Sequence, residues 1–403
     1  MSYAIADIEL GLPLPALDLG ADATGVAVLL RRGGRPIGFF LQEMSPATTL
    51  GAEELGRLIS RHAAVDLLRA SLEDELLGSA EPHPPVDLTV AICTRDRPEL
   101  LAVCLNSLLA AGQDQSFRVL VVDNAPSDDR TRELVQSRPG VEYVREPKPG
   151  LDFARNRAIA EGSTEFLAFI DDDVVVDPGW VGGLAAALGT HPDLGGVTGQ
   201  VLPYELATEA QIKFERHISF RRGFQQVRYS GQVREGNALY PTGPGIFGAG
   251  CNMAFRTEVL RALGGFDDAL DTGRALAGGG DLDIFYRLIR AGHVLVYEPR
   301  FLAFHRHRRE LDALRRQYWS WGTGYMAFLH KTYRRDPEAR PKLRRMMVWW
   351  VWDQLRQLKR TLREGSVMSP DMVVAQLAGG LLTVLWKYPS SRRRTDRIRH
   401  TFA

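Results

Sequence analysis

The sequence predicts an α/β protein in which a mostly parallel sheet flanked by helices follows a small α+β unit and precedes a basic helical segment. Three observations predict it. From Val86 onward, short β-rich runs alternate with helical patterns, as in βαβ units. Those runs are apolar along their whole length, as strands covered on both faces are. Acidic residues fall just past several strand ends, at the edge where open parallel sheets bind ligands. A chain of 403 residues with 45% hydrophobic content supports two or three units and a sizeable core.

The elements follow in order. GVAVLL (25–30) and IGFFLQEM (37–44) flank RRGGRP, whose Gly33 and Gly34 suit a hairpin turn. Leu55, Leu58, Ile59, Leu67, Leu68, Leu72 and Leu76 then recur at three- and four-residue steps and predict a helix. This N-terminal accessory unit, 1–78, carries no residue pattern that suggests chemistry. The three prolines of SAEPHPP predict a linker over 79–85. The main domain is expected over 86–310. It opens with the strand LTVAIC (88–93), a helix over ELLAVCLNSLLAAG and the strand FRVLVVD (117–123). VEYVRE, the helical DFARNRAIAEG and the strand FLAFI follow, and FLAFI runs into Asp171, Asp172 and Asp173.

Residues 311–403 are expected to form a basic helical segment. The whole chain has a formal charge of only +1, yet from His305 onward 22 Lys and Arg face 8 Asp and Glu, a local excess of +14. QYWSWGTGY and MMVWWVWDQLRQLKRTLR interleave aromatic and basic residues there. That pattern suits peripheral contact with an anionic membrane surface better than nucleic acid. The longest apolar approach, 372–386, spans about fifteen residues and contains Gln376, so a packed or interfacial helix is expected in place of a span. Cys93, Cys104 and Cys251 form no CxxC pair, which argues against a disulfide framework or a zinc site. The N-terminal stretch lacks a basic and apolar leader pattern. A cytoplasmic location, at most at the inner face of a membrane, is the resulting expectation.

Chemistry is expected at the strand ends. CTRDRPELL puts Thr94, Arg95 and Asp96 in the turn after the first strand of the main domain, and VVDNAPSDD puts Asp123 and Asn124 after the second. Each alone could be a cap or an Asx-turn, but together they line one sheet edge. Neither GxGxxG nor GxxxxGK[ST] follows the first strand, which disfavours a dinucleotide dehydrogenase and a P-loop NTPase. Three consecutive carboxylates against an apolar flank repel one another unless a cation offsets them. Oxygen-rich clusters of this kind suit Mg²⁺ or Mn²⁺, bound through one or two carboxylates plus substrate phosphates.

FIDDDVVVDPGW, together with CTRDRPELL, VVDNAPSDD, KPGLDFARN, FGAGCNMAFR, GGFDDAL, GGGDLDIFYRLIRAGH and YEPRFLAFHRHR in that order, resembles a family 2 glycosyltransferase of the GT-A, Rossmann-like fold. The resemblance covers roughly residues 86–325. It implies a nucleotide-sugar donor and an acceptor that is a saccharide, a lipid-linked sugar or a small molecule. It also implies a divalent metal, Mn²⁺ or Mg²⁺, on Asp173, Asp171 and His305. On the same resemblance Asp172 lies near the ribose, Thr94, Arg95 and Asp123 near the base, and Arg155, Asn156 and Asn252 beside the nucleotide or sugar. Asp281 is implied as the catalytic base, with Asp283 as the competing carboxylate. Gly280 stands where many relatives carry Glu. A nucleotidyltransferase and a non-catalytic scaffold of a glycan-assembly complex are the rival readings. The first lacks a basic Gly-rich loop after its first strand, and the second leaves the carboxylates unexplained.

Overall fold

The computed structural model describes residues 1–77, 85–112, 117–231, 233–273, 276–364, 368–383 and 388–402. The linker expected at 79–85 lies, apart from Pro85, outside the described residues. The N-terminal unit contains β1 (Ser2–Glu9), β2 (Leu17–Asp18), β3 (Ala23–Arg32), β4 (Arg35–Glu43), β5 (Thr49–Leu50) and α1 (Ala52–Leu77). β3 and β4 form the expected antiparallel hairpin, with Gly33 and Gly34 both at positive φ in its turn. β1 adds in parallel to β3, a pairing the local pattern does not announce. α1 buries Leu55, Leu58, Ile59, Ala63 and Ala70 on this sheet. Leu68, Leu72 and Leu76, expected on the same apolar stripe, are exposed. Near its C-terminal end α1 is held instead by ion pairs from Arg32 and Arg35 to Glu73 and Asp74.

The main sheet is assembled from β6 (Leu88–Thr94), α2 (Pro98–Ala111), β7 (Arg118–Asn124), α3 (Arg130–Gln136), β8 (Val141–Glu146), α4 (Leu151–Glu161), β9 (Phe166–Asp171), β10 (Val174–Val176), α5 (Trp180–Thr190), β11 (Leu194–Pro203), α6 (Glu209–His217), β12 (Val227–Tyr229), β13 (Asn252–Arg256), α7 (Thr257–Ala262), α8 (Gly280–Arg290) and β14 (Val294–His305). Its strand order is β10-β14-β11-β13-β9-β6-β7-β8, with β12 paired to β14. β9, β6, β7 and β8 are mutually parallel, as the βαβ pattern predicts, and β11 is parallel to β14. β13 runs antiparallel to both its neighbours and joins the two halves. One face packs Leu101, Leu105 and Leu108 of α2 with Trp180 and Leu184 of α5. The opposite face packs Ala154 and Ala158 of α4 with Ile284 and Leu288 of α8. Each fully buried leucine here contributes about 1.5–3 kcal/mol of transfer free energy.

The N-terminal unit docks on the main domain through Tyr3, whose N–H donates to the Leu206 carbonyl at 2.8 Å, and through Arg31, 2.5 Å from Asp177. The C-terminal segment consists of α9 (Leu311–Arg335), α10 (Arg340–Glu364), α11 (Pro370–Leu382) and α12 (Tyr388–Thr401). α9 and α11 cross closely at Gly322 and Gly379, where an added Cβ would run into the backbone of Gln376 and Trp319. The described part of the apolar 372–386 stretch is therefore a packed helix. No helix among the described residues is long and apolar enough to cross a membrane.

Candidate functional site

Register places the predicted residues. Cys93 pairs with Asp171 and Thr94 with Asp123, so the ends of β6, β7 and β9 lie side by side at the carboxyl edge of the sheet. β10 turns back after Asp173 and pairs Val174 with His305 of β14. The Arg306 N–H donates to the Asp173 carbonyl at 2.9 Å, fixing that junction. Residues more than 130 positions apart thus meet because the short β10 pairs with the end of β14.

The three aspartates have three different environments. Asp172 is buried and accepts from the Thr94 hydroxyl at 2.7 Å and from Arg97 at 3.2 Å. Asp173 has His305 Nε2 at 3.3 Å, Arg308 at 3.5 Å and Arg97 at 3.8 Å. Burial opposes its charge, but these cations and the imidazole hold it well below the usual carboxylate range. The Asp171 carboxylate accepts from no described side chain, although its backbone carbonyl accepts from the Cys104 thiol at 3.7 Å. Burial first, and then the charge of Asp173, push its carboxyl up to about 7. The protein thus supplies the missing positive charge for two of the carboxylates and leaves the third open.

Behind His305 runs a buried chain. His305 Nδ1 lies 3.0 Å from His307 Nδ1, and His307 Nε2 lies 3.2 Å from Glu215. Glu215 is held in turn by the Ser219 hydroxyl at 2.8 Å and by Arg221 at 2.6 Å. These contacts fix the His305 ring and aim its Nε2 at Asp173.

A cavity of about 840 Å³ opens beside this edge, lined by Arg155, Asp171, His305, Arg308 and, from the first turn of α8, Asp281. Asp281 accepts from the Leu282 N–H at 2.8 Å. Gly250 lies against it so closely that an added Cβ would stand 2.9 Å from the Asp281 Cβ. Asp283 is not at the cavity. It is buried, 2.6 Å from Lys331 and 2.7 Å from Arg287. Cys251 also lines the cavity, where burial and the charges of Asp171, Asp173 and Asp281 push its thiol well above the usual range, so it is no nucleophile.

Several predicted residues lie elsewhere. Asn156 exchanges hydrogen bonds with the Phe266 backbone at 2.8 and 2.9 Å. Asn252 accepts from the Trp180 indole and donates to the carbonyls of Gln200 and Phe301. Both amides are spent on the fold, and neither lines the cavity, so the structure does not bring these two expected residues together with the others. Thr94 spends its hydroxyl on Asp172, and Arg95 points outward beside Asp96 at 3.5 Å. Asp123 accepts from the Tyr143 hydroxyl at 2.9 Å, while its Oδ1 is buried without a hydrogen-bond partner.

Sequence reasoning missed Arg97, Glu215, Asp152 and Asp271. Asp152 is fully buried beside Arg155 at 3.1 Å, and Asp271 lines the cavity. Arg97 was visible in CTRDRPELL, but only the turn folds it back over the aspartates. Glu215 had no local signal. Asp152 also crowds Gly280: a Cβ there would run into the Asp152 carboxylate, so a Glu at position 280, as the resemblance would have it, has no room.

The residues present fit a divalent ion shared with a ligand. Among the described residues no three His, Cys, Asp or Glu side chains are gathered closely enough to hold a metal by themselves. Asp171 and Asp173, with His305, form a partial set of two carboxylates and an imidazole. Hard cations such as Mg²⁺ complete such sets with waters and substrate phosphates. The open, reluctantly ionised Asp171 is the position a cation would relieve.

A sheet with a parallel half thus carries an acidic carboxyl edge, and Asp281 faces the same cavity from a helix N-terminus. Residues 89–264 match the sequence model of glycosyl transferase family 2. The pre-mycofactocin glycosyltransferase of Mycobacterium tuberculosis is 28% identical over 269 residues, 64% of this chain and 51% of its own length. The glucosyl-dolichyl phosphate glucuronosyltransferase of Haloferax volcanii is 24% identical, over 67% of this chain and 86% of its own. A solved mannosyltransferase, PcManGT from Pyrobaculum calidifontis with GDP-Man and Mn²⁺, is 19% identical with a TM-score of 0.49, over 85% of this chain and 94% of that one. The chain spans about half the length of the first of these relatives.

Proposed function

We propose that this protein transfers a sugar from a nucleotide-sugar donor to an acceptor hydroxyl with inversion at the anomeric carbon. One observation carries the reading: Asp281 and the open carboxylate Asp171 line the same cavity, one from a helix start and the other from a strand end. Asp123, with an unpartnered buried oxygen, would accept from the nucleobase, and Arg155 would face the nucleotide. Asp171, Asp173 and His305 would hold Mn²⁺ or Mg²⁺, which when bound supplies positive charge to the leaving diphosphate. Asp281 would take the acceptor hydroxyl's proton at its free carboxylate oxygen, since an alcohol is a weak nucleophile until it loses that proton. The acceptor is a glycan, a lipid-linked sugar or a small molecule, and α10 brings the protein to a membrane surface peripherally.

The test is Asp281→Asn. Turnover should fall by roughly 10²-fold or more while nucleotide affinity stays near that of the wild type. Retained turnover in Asp281→Asn, or the same loss in a folded Asp283→Asn variant, would overturn the assignment. Nucleotide binding without turnover on any acceptor would favour the scaffold.

A further inference from the structure

The cavity has a second wall that the donor chemistry leaves unused. α10 contributes Trp349, Trp350, Asp353, Gln354, Gln357 and Arg360 to it. Their spacing keeps them on one side of a helix over about 16 Å at 1.5 Å per residue. Indole faces beside side-chain amides offer an apolar platform with donors and acceptors at its rim, which is the chemistry that recognises a sugar ring. Gln354 is 3% exposed, and its Oε1 has no hydrogen-bond partner. A buried acceptor left unmatched is costly, so a ligand hydroxyl donating there would relieve it. Asp353 accepts from Gln357 Nε2 at 2.7 Å, which holds that amide in place.

The charge on this wall narrows the ligand further. Arg356 and Arg360 line the cavity, and neither has a carboxylate within ion-pair distance among the described residues. The other cavity arginines are engaged: Arg155 with Asp152, Arg308 with Asp173, and Arg222 with the carbonyls of Gly245 and Arg221. Two uncommitted guanidinium groups one helical turn apart suit an oxyanion, which each can bind with two parallel N–H donors.

We propose that the α10 wall is the acceptor subsite and that the acceptor is a saccharide carrying an acidic group, phosphate or carboxylate, outside the ring that receives the new sugar. This rests on the sugar-transfer reading above. Trp349 would stack on the ring against the buried Trp350, Gln354 and Gln357 would read its hydroxyls, and Arg356 and Arg360 would hold the oxyanion.

The experiment titrates the full chain by ligand-observed NMR with methyl glucoside, methyl glucuronide, glucose 1-phosphate and inorganic phosphate. At least one acidic saccharide should bind about tenfold more tightly than methyl glucoside and more tightly than phosphate alone. Whichever of the two it is identifies the source of the oxyanion. Arg356→Gln/Arg360→Gln should abolish the preference, and Trp349→Ala should weaken all the saccharides. Lys359→Gln, an exposed charge outside the cavity lining, should leave the binding of all four of these soluble ligands unchanged. Equal binding of acidic and neutral saccharides overturns the proposal. So does a preference that survives the double substitution, or one that Lys359→Gln removes equally. Titrating nucleoside diphosphates into the same variants separates the two readings. Absent nucleotide binding sinks sugar transfer, whereas intact nucleotide binding without an acidic preference sinks only the acceptor subsite.

Discussion

At the scale of single residues, adjacent carboxylates have been given opposite tasks by their neighbours. Asp173 is held ionised by His305 and Arg308, whereas Asp171, without a partner, is pushed up to about 7. In the folded chain Asp171 keeps a proton that the unfolded chain releases near pH 4, so its contribution to stability falls as pH rises from about 4 to 7. Asp173 has the opposite sign: its stabilisation is complete above the ordinary Asp range and is lost as pH falls below it. Without added divalent ion, Asp171→Asn should therefore melt a few degrees above the wild type at pH 8. The gap should close by pH 4, as scanning calorimetry would show, and a constant gap across pH would refute the assigned environment. Asp281 and Asp283 differ as sharply. Asp283→Asn removes a partner of the buried Lys331, which keeps Asp267 at 2.7 Å, so an intermediate loss on the order of 2 kcal/mol is expected in denaturant unfolding. Asp281→Asn should leave stability nearly unchanged. The acidic triple at a strand end and the acidic first turn of α8 were legible from sequence, because strand ends and helix starts are local features. The engagement of Asn156 and Asn252 by the fold was not legible, since their partners lie 49 or more residues away.

Among elements, the site depends on how closely α9 approaches the glycine loop before α8. A Cβ on Gly324 would come 2.7 Å from the Gly278 carbonyl carbon and 3.0 Å from the Gly279 nitrogen, both backbone atoms that cannot rotate away. Gly324→Ala should cost about 1–3 kcal/mol by overpacking and should lower turnover by shifting the loop that carries Asp281. Gly182 of α5 meets nothing within 4 Å, so Gly182→Ala should gain about 0.5–1 kcal/mol from helix propensity with activity unchanged. Equal effects of the two substitutions would refute the role given to this contact. The β3–β4 hairpin and the β6–α2–β7 unit were readable because turn glycines and apolar runs are short-range signals. The parallel docking of β1 and the reversal of β13 were not, because strand pairing is chosen by tertiary contact.

Across the whole molecule, the basic excess of the C-terminal segment divides between two uses. Lys331 binds Asp267 and Asp283, Arg399 binds Asp268 and Arg309 binds Glu205, so part of it neutralises the acidic main domain. On the side of α10 away from the cavity, Val348, Trp352, Leu355 and Leu362 form an exposed apolar stripe. Lys359 lies within that stripe, and Arg345 and Arg363 border it, a combination that suits an anionic surface. The full chain should co-sediment with vesicles containing phosphatidylglycerol at low salt but not with neutral ones. High salt should release it, because exposed charges are screened over about 8–10 Å. Trp352→Glu/Leu355→Glu should abolish the binding, and unchanged sedimentation of that variant would refute a membrane role for the stripe. By itself the sequence determined the α/β class, the acidic strand ends and the charge asymmetry, because periodicity, turn residues and charge are properties of neighbouring positions. Only the tertiary structure decided that Arg97, Arg308 and His305 compensate Asp172 and Asp173 while Asp171 stays open. It alone turned one face of α10 into a cavity wall, because such contacts arise when strands and helices distant in the chain settle into register.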